Sequence, residues 1–224
     1  MNLRIDDFKC AIFDLDGTLL NSMPFWHTVS DDYLRRHGKT FSPALWDEVK
    51  RLTLTETAEH FVKNYGITDS IEKICEEIRL MIFEAYSKTL LLKDGARELL
   101  EKLNSLGVPC VLATATERSC VLACFERLDL LKYFKHIFTC LDLNTNKREP
   151  LIFLKSAEVC GAKSEESLVF EDALHCIRTA KKARFNVCAV YDESSEEVTE
   201  PPESDWKRIL SISDYSVKSL KELL

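Results

Sequence analysis

The sequence predicts an α/β protein: a parallel β-sheet core that carries an inserted all-helical block. Three observations predict it. The first is the stretch Cys10-Ala11-Ile12-Phe13-Asp14-Leu15-Asp16-Gly17-Thr18, an apolar run that ends in two carboxylates and a glycine. A run with no polar alternation suits a central strand buried on both faces, as in a parallel sheet. The second is residues 22–89, which read as almost wholly helical from the spacing of their apolar residues. The third is the chain from residue 90 onward, where short apolar runs alternate with helical patterns, the signature of right-handed βαβ units.

In order, residues 8–16 form the first strand. Pro24 suits the first turn of a helix whose apolar face is Phe25, Trp26, Val29, Tyr33 and Leu34, and Gly38 suits its stop. Thr53-Leu54-Thr55-Glu56 has the form of a capping box, and Gly66 ends the helix it opens. Asp69 reads as the cap of a further helix running through Ile71, Ile74, Ile78, Met81 and Ala85. Then come a helix over 94–106, a strand over 108–114, a helix over 117–131 and a strand over 136–141. A helix over 150–160, a strand over 168–170, a helix over 173–183 and a strand over 187–191 follow. Residues 192–206 read as a solvated loop or short polar helix, and 212–224 as a tail packed on the core edge. The expected domains are 1–21 with 90–224, and 22–89.

The net charge of −7 argues against nucleic-acid binding through a broad basic face. No apolar stretch is long enough to span a membrane, and the amino terminus lacks a signal peptide's apolar segment, so the expected location is cytoplasmic. The nine cysteines are odd in number and scattered, with no C-x-x-C, and read as reduced core residues.

Polar residues gather at the carboxyl ends of successive expected strands: Asp14 and Asp16, then Thr114, then Lys147, then Glu171 and Asp172. Open α/β sheets bind ligands at that edge. Two aspartates there are costly unless a positive group lies between them, and a divalent metal with a phosphate meets that need. Asp14 is placed to attack phosphorus as a nucleophile. Asp16 is placed to protonate the leaving oxygen and then to deprotonate water. Gly17 permits the turn, Thr114 offers a hydroxyl to a phosphoryl oxygen, and Lys147 neutralises charge. Asp14 and Asp172 would hold Mg2+, with the backbone carbonyl of Asp16 as a third ligand. Glu171 is open between a supporting role and direct ligation.

These motifs resemble those of the haloacid dehalogenase superfamily, in its subfamily with a helical cap between the first strand and the following helix. Phe13-Asp14-Leu15-Asp16-Gly17-Thr18-Leu19 resembles the first motif, and Leu112-Ala113-Thr114-Ala115-Thr116 the second. Lys147 with Glu149-Pro150 resembles the third, and Val169-Phe170-Glu171-Asp172 the fourth. The resemblance implies a Rossmann-like three-layer core with a parallel sheet plus an inserted α-helical cap domain. It also implies a magnesium-dependent aspartyl-phosphate mechanism, with the cap closing over the substrate about hinges near 21–24 and 90–95. Ala115 and the cap's Lys88 join Gly17, Thr114 and Lys147 in the implied phosphate-binding set. Three positions depart from the family pattern: Arg148 replaces the first proline of Pro-x-Pro, Cys176 falls where glycine is usual, and Ala183-Arg184 replaces Ala-Gly.

Within the family, two acidic residues at Asp16 and Asp172 favour phosphoryl transfer over metal-free dehalogenation. The nearest mutase branch, β-phosphoglucomutase, would call for a histidine in the first cap helix and a basic residue in the cap's specificity loop. Here Trp26 falls near the first position, with His27 beside it, and Leu52-Thr53-Leu54-Thr55 has no basic residue, although Arg51 precedes it. The expectation is therefore a phosphatase acting on a small phosphorylated metabolite such as a sugar phosphate. A sugar-phosphate mutase is the alternative, and a catalytically silent phosphometabolite-binding relative the second alternative.

Overall fold

The computed structural model describes residues 3–224. The chain divides into two compact units, Met1–Asn21 with Leu90–Leu224, and Ser22–Thr89.

Strand β1 spans Cys10–Phe13, all four residues buried. In the smaller unit four helices follow, α1 (Met23–Arg36), α2 (Leu45–Val49), α3 (Leu54–Tyr65) and α4 (Ile71–Glu84), and α4 runs on into a π turn over Ala85–Thr89. Their apolar faces meet in a core that includes Tyr33, Leu34, Phe61, Ile74 and Ile78. Thr53 and Glu56 form the expected capping box, and Gly66 closes α3 in the left-handed conformation at φ 62°. The cap of α4 differs from expectation. Ser70, not Asp69, accepts the Lys73 amide, while the Asp69 carboxylate takes the Lys73 ammonium at 2.6 Å. Both residue types cap well, and the choice falls to Ser70 because Asp69 has a stronger charged partner.

The larger unit continues with α5 (Ala96–Ser105), β2 (Cys110–Thr114), α6 (Arg118–Arg127) and β3 (Phe134–Thr139). Then come α7 (Leu151–Val159), β4 (Ser167–Glu171), α8 (Leu174–Lys182) and β5 (Asn186–Val190). Between the expected loop and the expected tail lies α9 (Asp205–Ile212), and the tail itself supplies a short strand, β6 (Tyr215–Val217). The six strands make one sheet in the order β3-β2-β1-β4-β5-β6, every pair parallel.

Side chains on a strand alternate between faces. Ile12, Val111, Ala113, Val169 and Val187 join one buried cluster with Phe153 of α7, Ile177 of α8 and Ile209 of α9. Phe13 points to the other face, where it stacks on Phe170 at 4.4 Å and meets Phe134, which packs on Phe125 of α6. The result is the three-layer, Rossmann-like α/β arrangement. The order reverses at β1, whose neighbours are β2 on one side and β4 on the other, so the edge beyond Phe13 lies at the topological switch point. Among the described residues no helix is long and apolar enough to cross a membrane. All nine cysteines are free thiols, eight of them buried.

The Arg184 departure has a backbone counterpart. Arg184 sits at φ 65°, where a Cβ is strained and glycine is not. Its side chain is exposed and lies 3.6 Å from Glu165, a contact of little worth. Arg184→Gly is therefore expected to raise stability by about 1 kcal/mol, or roughly 2–4 °C in Tm for a chain of this size. Calorimetry of the two proteins checks this, and a lower Tm in the variant would contradict it.

Candidate active site

Asp14 follows the last residue of β1 and stays in register, its amide donating to the Phe170 carbonyl at 3.0 Å. The loop after it folds back tightly. Gly17 donates to the Leu20 carbonyl at 3.0 Å, and Leu19 and Leu20 both donate to the Leu15 carbonyl. Gly17 sits at φ 79°, and a Cβ there would lie 2.3 Å from Oδ2 of Asp172. Glycine is thus required twice, for backbone and for space. Gly17→Ala must push Asp172 aside and is expected to cut kcat/KM by roughly 100-fold or more, the scale of a 1 Å misplacement at a reacting centre. Steady-state kinetics beside circular dichroism test this, and a folded variant of undiminished activity would contradict it.

Four charged groups meet beside that loop. Lys147, buried, donates to Oδ1 of Asp14 and, at 2.7 Å, to Oε1 of Glu171. The other oxygen of Glu171 accepts the amides of Asp172 and Ala173, each at 3.0 Å. Both Glu171 oxygens are therefore committed to holding Lys147 and the turn after β4. Asp172 accepts the Thr18 hydroxyl at 2.9 Å.

Burial governs the ionisation here. It pushes Asp14 up to about 7, with Lys147 opposing and the Glu171 and Asp16 charges adding to the rise. It pushes Asp172 well above the usual carboxylate range, again with Glu171 and Asp14 adding. Burial also works against the Lys147 ammonium, but Asp14 and Glu171 outweigh it and hold Lys147 well above its ordinary value. For Glu171 burial is likewise overcome by Lys147, and its carboxyl lies low. One oxygen from each of Asp14, Glu171 and Asp172 lies within 4.8 Å of the other two. One ammonium thus faces three buried carboxyls. The remaining negative charge and all-oxygen donor set fit a hard divalent cation such as Mg2+.

The remaining expected residues are placed as follows. Thr114 ends β2, is buried, and its hydroxyl accepts the Thr116 amide at 3.1 Å. Ala115 is the residue between them. Asp16 receives the hydroxyl of Thr116. Lys88 belongs to the helical unit, where it pairs with Glu84 at 2.9 Å. The Lys147 loop keeps its turn without the family's first proline. The Asn146 side chain accepts the Arg148 amide at 2.9 Å, a bond that proline could not make.

Three supporting residues had no assigned role in the sequence reading. Thr18 and Thr116 fix Asp172 and Asp16, and their presence inside the first two motifs is the signal that points to them. Lys93 has no such signal. Its ammonium donates to the carbonyls of Gly17 and Tyr191, each at 2.7 Å, and to Asp192 at 2.9 Å, tying the Gly17 loop to the end of β5.

A parallel sheet with a carboxylate pair after its first strand, a buried lysine and a second acidic pair define a hydrolase of the Rossmann-like class. Residues 11–190 match the family described as haloacid dehalogenase-like hydrolase, and the chain belongs to that family. It is 27% identical over 175 residues to a phosphorylated carbohydrates phosphatase of Thermotoga maritima, covering 78% of this chain and 81% of that protein. It is 31% identical over 190 residues to (DL)-glycerol-3-phosphatase 2 of Arabidopsis thaliana, covering 81% of this chain and 79% of the relative. Among solved structures, a candidate beta-phosphoglucomutase from Thermotoga maritima superposes with a TM-score of 0.79 at 25% identity, covering 96% of this chain and 99% of that one. These likenesses place the chain in the family's β-phosphoglucomutase-like branch.

Proposed function

We propose that this chain is a magnesium-dependent phosphatase that hydrolyses a small phosphorylated metabolite, with sugar and polyol phosphates the leading class. It is a phosphoric monoester hydrolase of its family. The observation that carries the reading is the Asp14 carboxylate held by buried Lys147, beside the oxygens of Glu171 and Asp172. Asp14 attacks phosphorus and the P–O bond to the leaving group breaks, giving an aspartyl phosphate. Asp16, oriented by the Thr116 hydroxyl, hands its proton to the departing oxygen. It then takes a proton from water, whose oxygen attacks phosphorus and releases inorganic phosphate with Asp14 restored. Lys147 offsets charge on the nucleophile and the transferred group. Thr114, Ala115 and Gly17 line the phosphate side, and Lys88 is assigned to the substrate.

Asp14 and Asp172 with the Asp16 carbonyl would hold the metal, and Glu171 supports them, since both its oxygens are already engaged. The metal, when bound, supplies positive charge to the phosphoryl oxygens. The names of the relatives, a carbohydrate-phosphate phosphatase and a glycerol-3-phosphatase, support the substrate class. Nine free thiols favour a reducing compartment, and the cytoplasm is the proposed location.

The likeness to the candidate beta-phosphoglucomutase favours a second reading, a sugar-phosphate mutase. Phosphate release from a panel of phosphorylated sugars, polyols and small acids, with magnesium and with chelator, separates the two. The expected result is release that depends on magnesium. Isomer formation without release would replace the phosphatase by the mutase, and silence with no aspartyl-phosphate analogue trapped at Asp14 would leave a binding protein.

A further inference from the structure

The geometry points to an oxidisable dithiol, Cys10 and Cys160, that closes to a disulfide when the protein meets a hydroperoxide. Cys10 opens β1 and is fully buried. Cys160 ends α7 and is the one cysteine of the nine that is not buried. Their sulfurs lie 3.0 Å apart, with 150 positions of chain between them. A disulfide needs about 2.05 Å, so the two sulfurs must close by roughly 1 Å. Gly161 follows Cys160 at φ 69° with open space where a Cβ would stand, so rotation of the two cysteine side chains is what must close the gap.

The two thiols are unlike, and the difference suits sequential chemistry. The bond from Cys10 and the positive charge of Lys135 lower the Cys160 thiol, although burial opposes them. Cys10 is raised by the same contact with Cys160 and by burial. Cys160 is thus the more accessible and the more readily ionised of the two thiols, with Cys10 behind it. With hydrogen peroxide as oxidant, the ionised Cys160 sulfur attacks one oxygen, the O–O bond breaks, and the sulfur becomes a sulfenic acid as the other oxygen takes up a proton and leaves as water. Cys10 sulfur then displaces the hydroxyl of that sulfenic acid, losing its own proton, and a second water leaves. Two thiols are oxidised by two electrons and one hydroperoxide is reduced. Cys10 lies at the end of β1 opposite Asp14, so the bond forms away from the carboxylates. It fastens the first strand to the end of α7.

The test treats the full chain with hydrogen peroxide and reads the intact mass, a non-reducing peptide map and the Tm. The expected result is a loss of ~2 Da, for two hydrogens, that dithiothreitol reverses. The map should join the Cys10 peptide to the Cys160 peptide, and Tm should rise by several degrees. Cys160→Ser and Cys10→Ala should each abolish the change. Cys110→Ser, which alters a thiol whose charge bears on Cys10, should leave it intact. Should Cys10→Ala fail to fold, Cys160→Ser, at the less buried position, still decides the matter. A mass loss that survives in Cys160→Ser, oxygen addition at Cys160 with no cross-link, or no reaction at all would each overturn the inference.

Discussion

Asp14→Asn is expected to abolish turnover, by on the order of 10⁴-fold or more, while leaving the fold intact. The amide fills the same space but has no charged oxygen to attack phosphorus. It can still accept the Lys147 proton, so the lysine keeps both contacts, one of them weaker. Stability should move the other way from activity. In the metal-free protein burial raises Asp14 to about 7, against roughly 3.9 in the unfolded chain. Between those values the folded protein binds a proton that the unfolded chain has released, so stability falls as pH rises through that window. Asp14→Asn removes one contributor to that fall, and Asp172, raised by the same burial, keeps another. In chelator at pH 8 the variant should therefore melt above the parent. Phosphate release, with mass spectrometry to rule out deamidation, and Tm against pH check both halves. Wild-type turnover in Asp14→Asn protein of verified mass would end the nucleophile assignment.

Lys147→Met should be the most damaging substitution to the folded state. The ammonium is buried and joins Asp14 to Glu171. Methionine fills much of the same volume but leaves two buried carboxyls facing each other with no cation. Breaking a buried ion pair by removing one partner costs about 3–5 kcal/mol. Chelator-treated protein in urea should show a loss of that size. Activity should fall with it, because the charge that offsets the nucleophile is gone. A double variant with Asp14→Asn should recover part of the stability and none of the activity, since one of the stranded charges is removed. A loss below about 1 kcal/mol would mean that the two carboxyls are relieved by something other than Lys147.

What the sequence made legible divides along physical lines. Strong periodicity marks α1, α3 and α4 well, because burial on one face is written into spacing. The continuous apolar run marks β1 for the same reason. β6 is not legible. Tyr215-Ser216-Val217 is too short to carry a pattern, and it is a strand because the edge of β5 offers it backbone partners. The cap of α4 escapes the sequence because Asp69 and Ser70 are both good caps, and only the position of Lys73 decides between them. At the site, Asp14, Lys147, Glu171 and Asp172 stand out because charged residues at strand ends are costly and so conspicuous. The structure places these four side by side. Lys93 stays hidden because its partners are two backbone carbonyls and an aspartate almost a hundred positions away. Side-chain identity carries no trace of bonds to carbonyls brought near only by the finished sheet.

The central place of β1 has a consequence for how the protein is made. Ala11 pairs with Cys110 on one side and Leu168 on the other. On the ribosome the first strand therefore waits until β4 (Ser167–Glu171) has emerged before its second edge is covered. Until then Cys10–Phe13 is an apolar segment with open backbone groups, of the kind that nascent chains must shelter from one another. The helical unit, Ser22–Thr89, is local in sequence and is complete well before β4 emerges, so it can consolidate while β1 remains unpaired. Synthesis order and sheet order thus run against each other here, and the middle of the sheet closes only once β4 has been made.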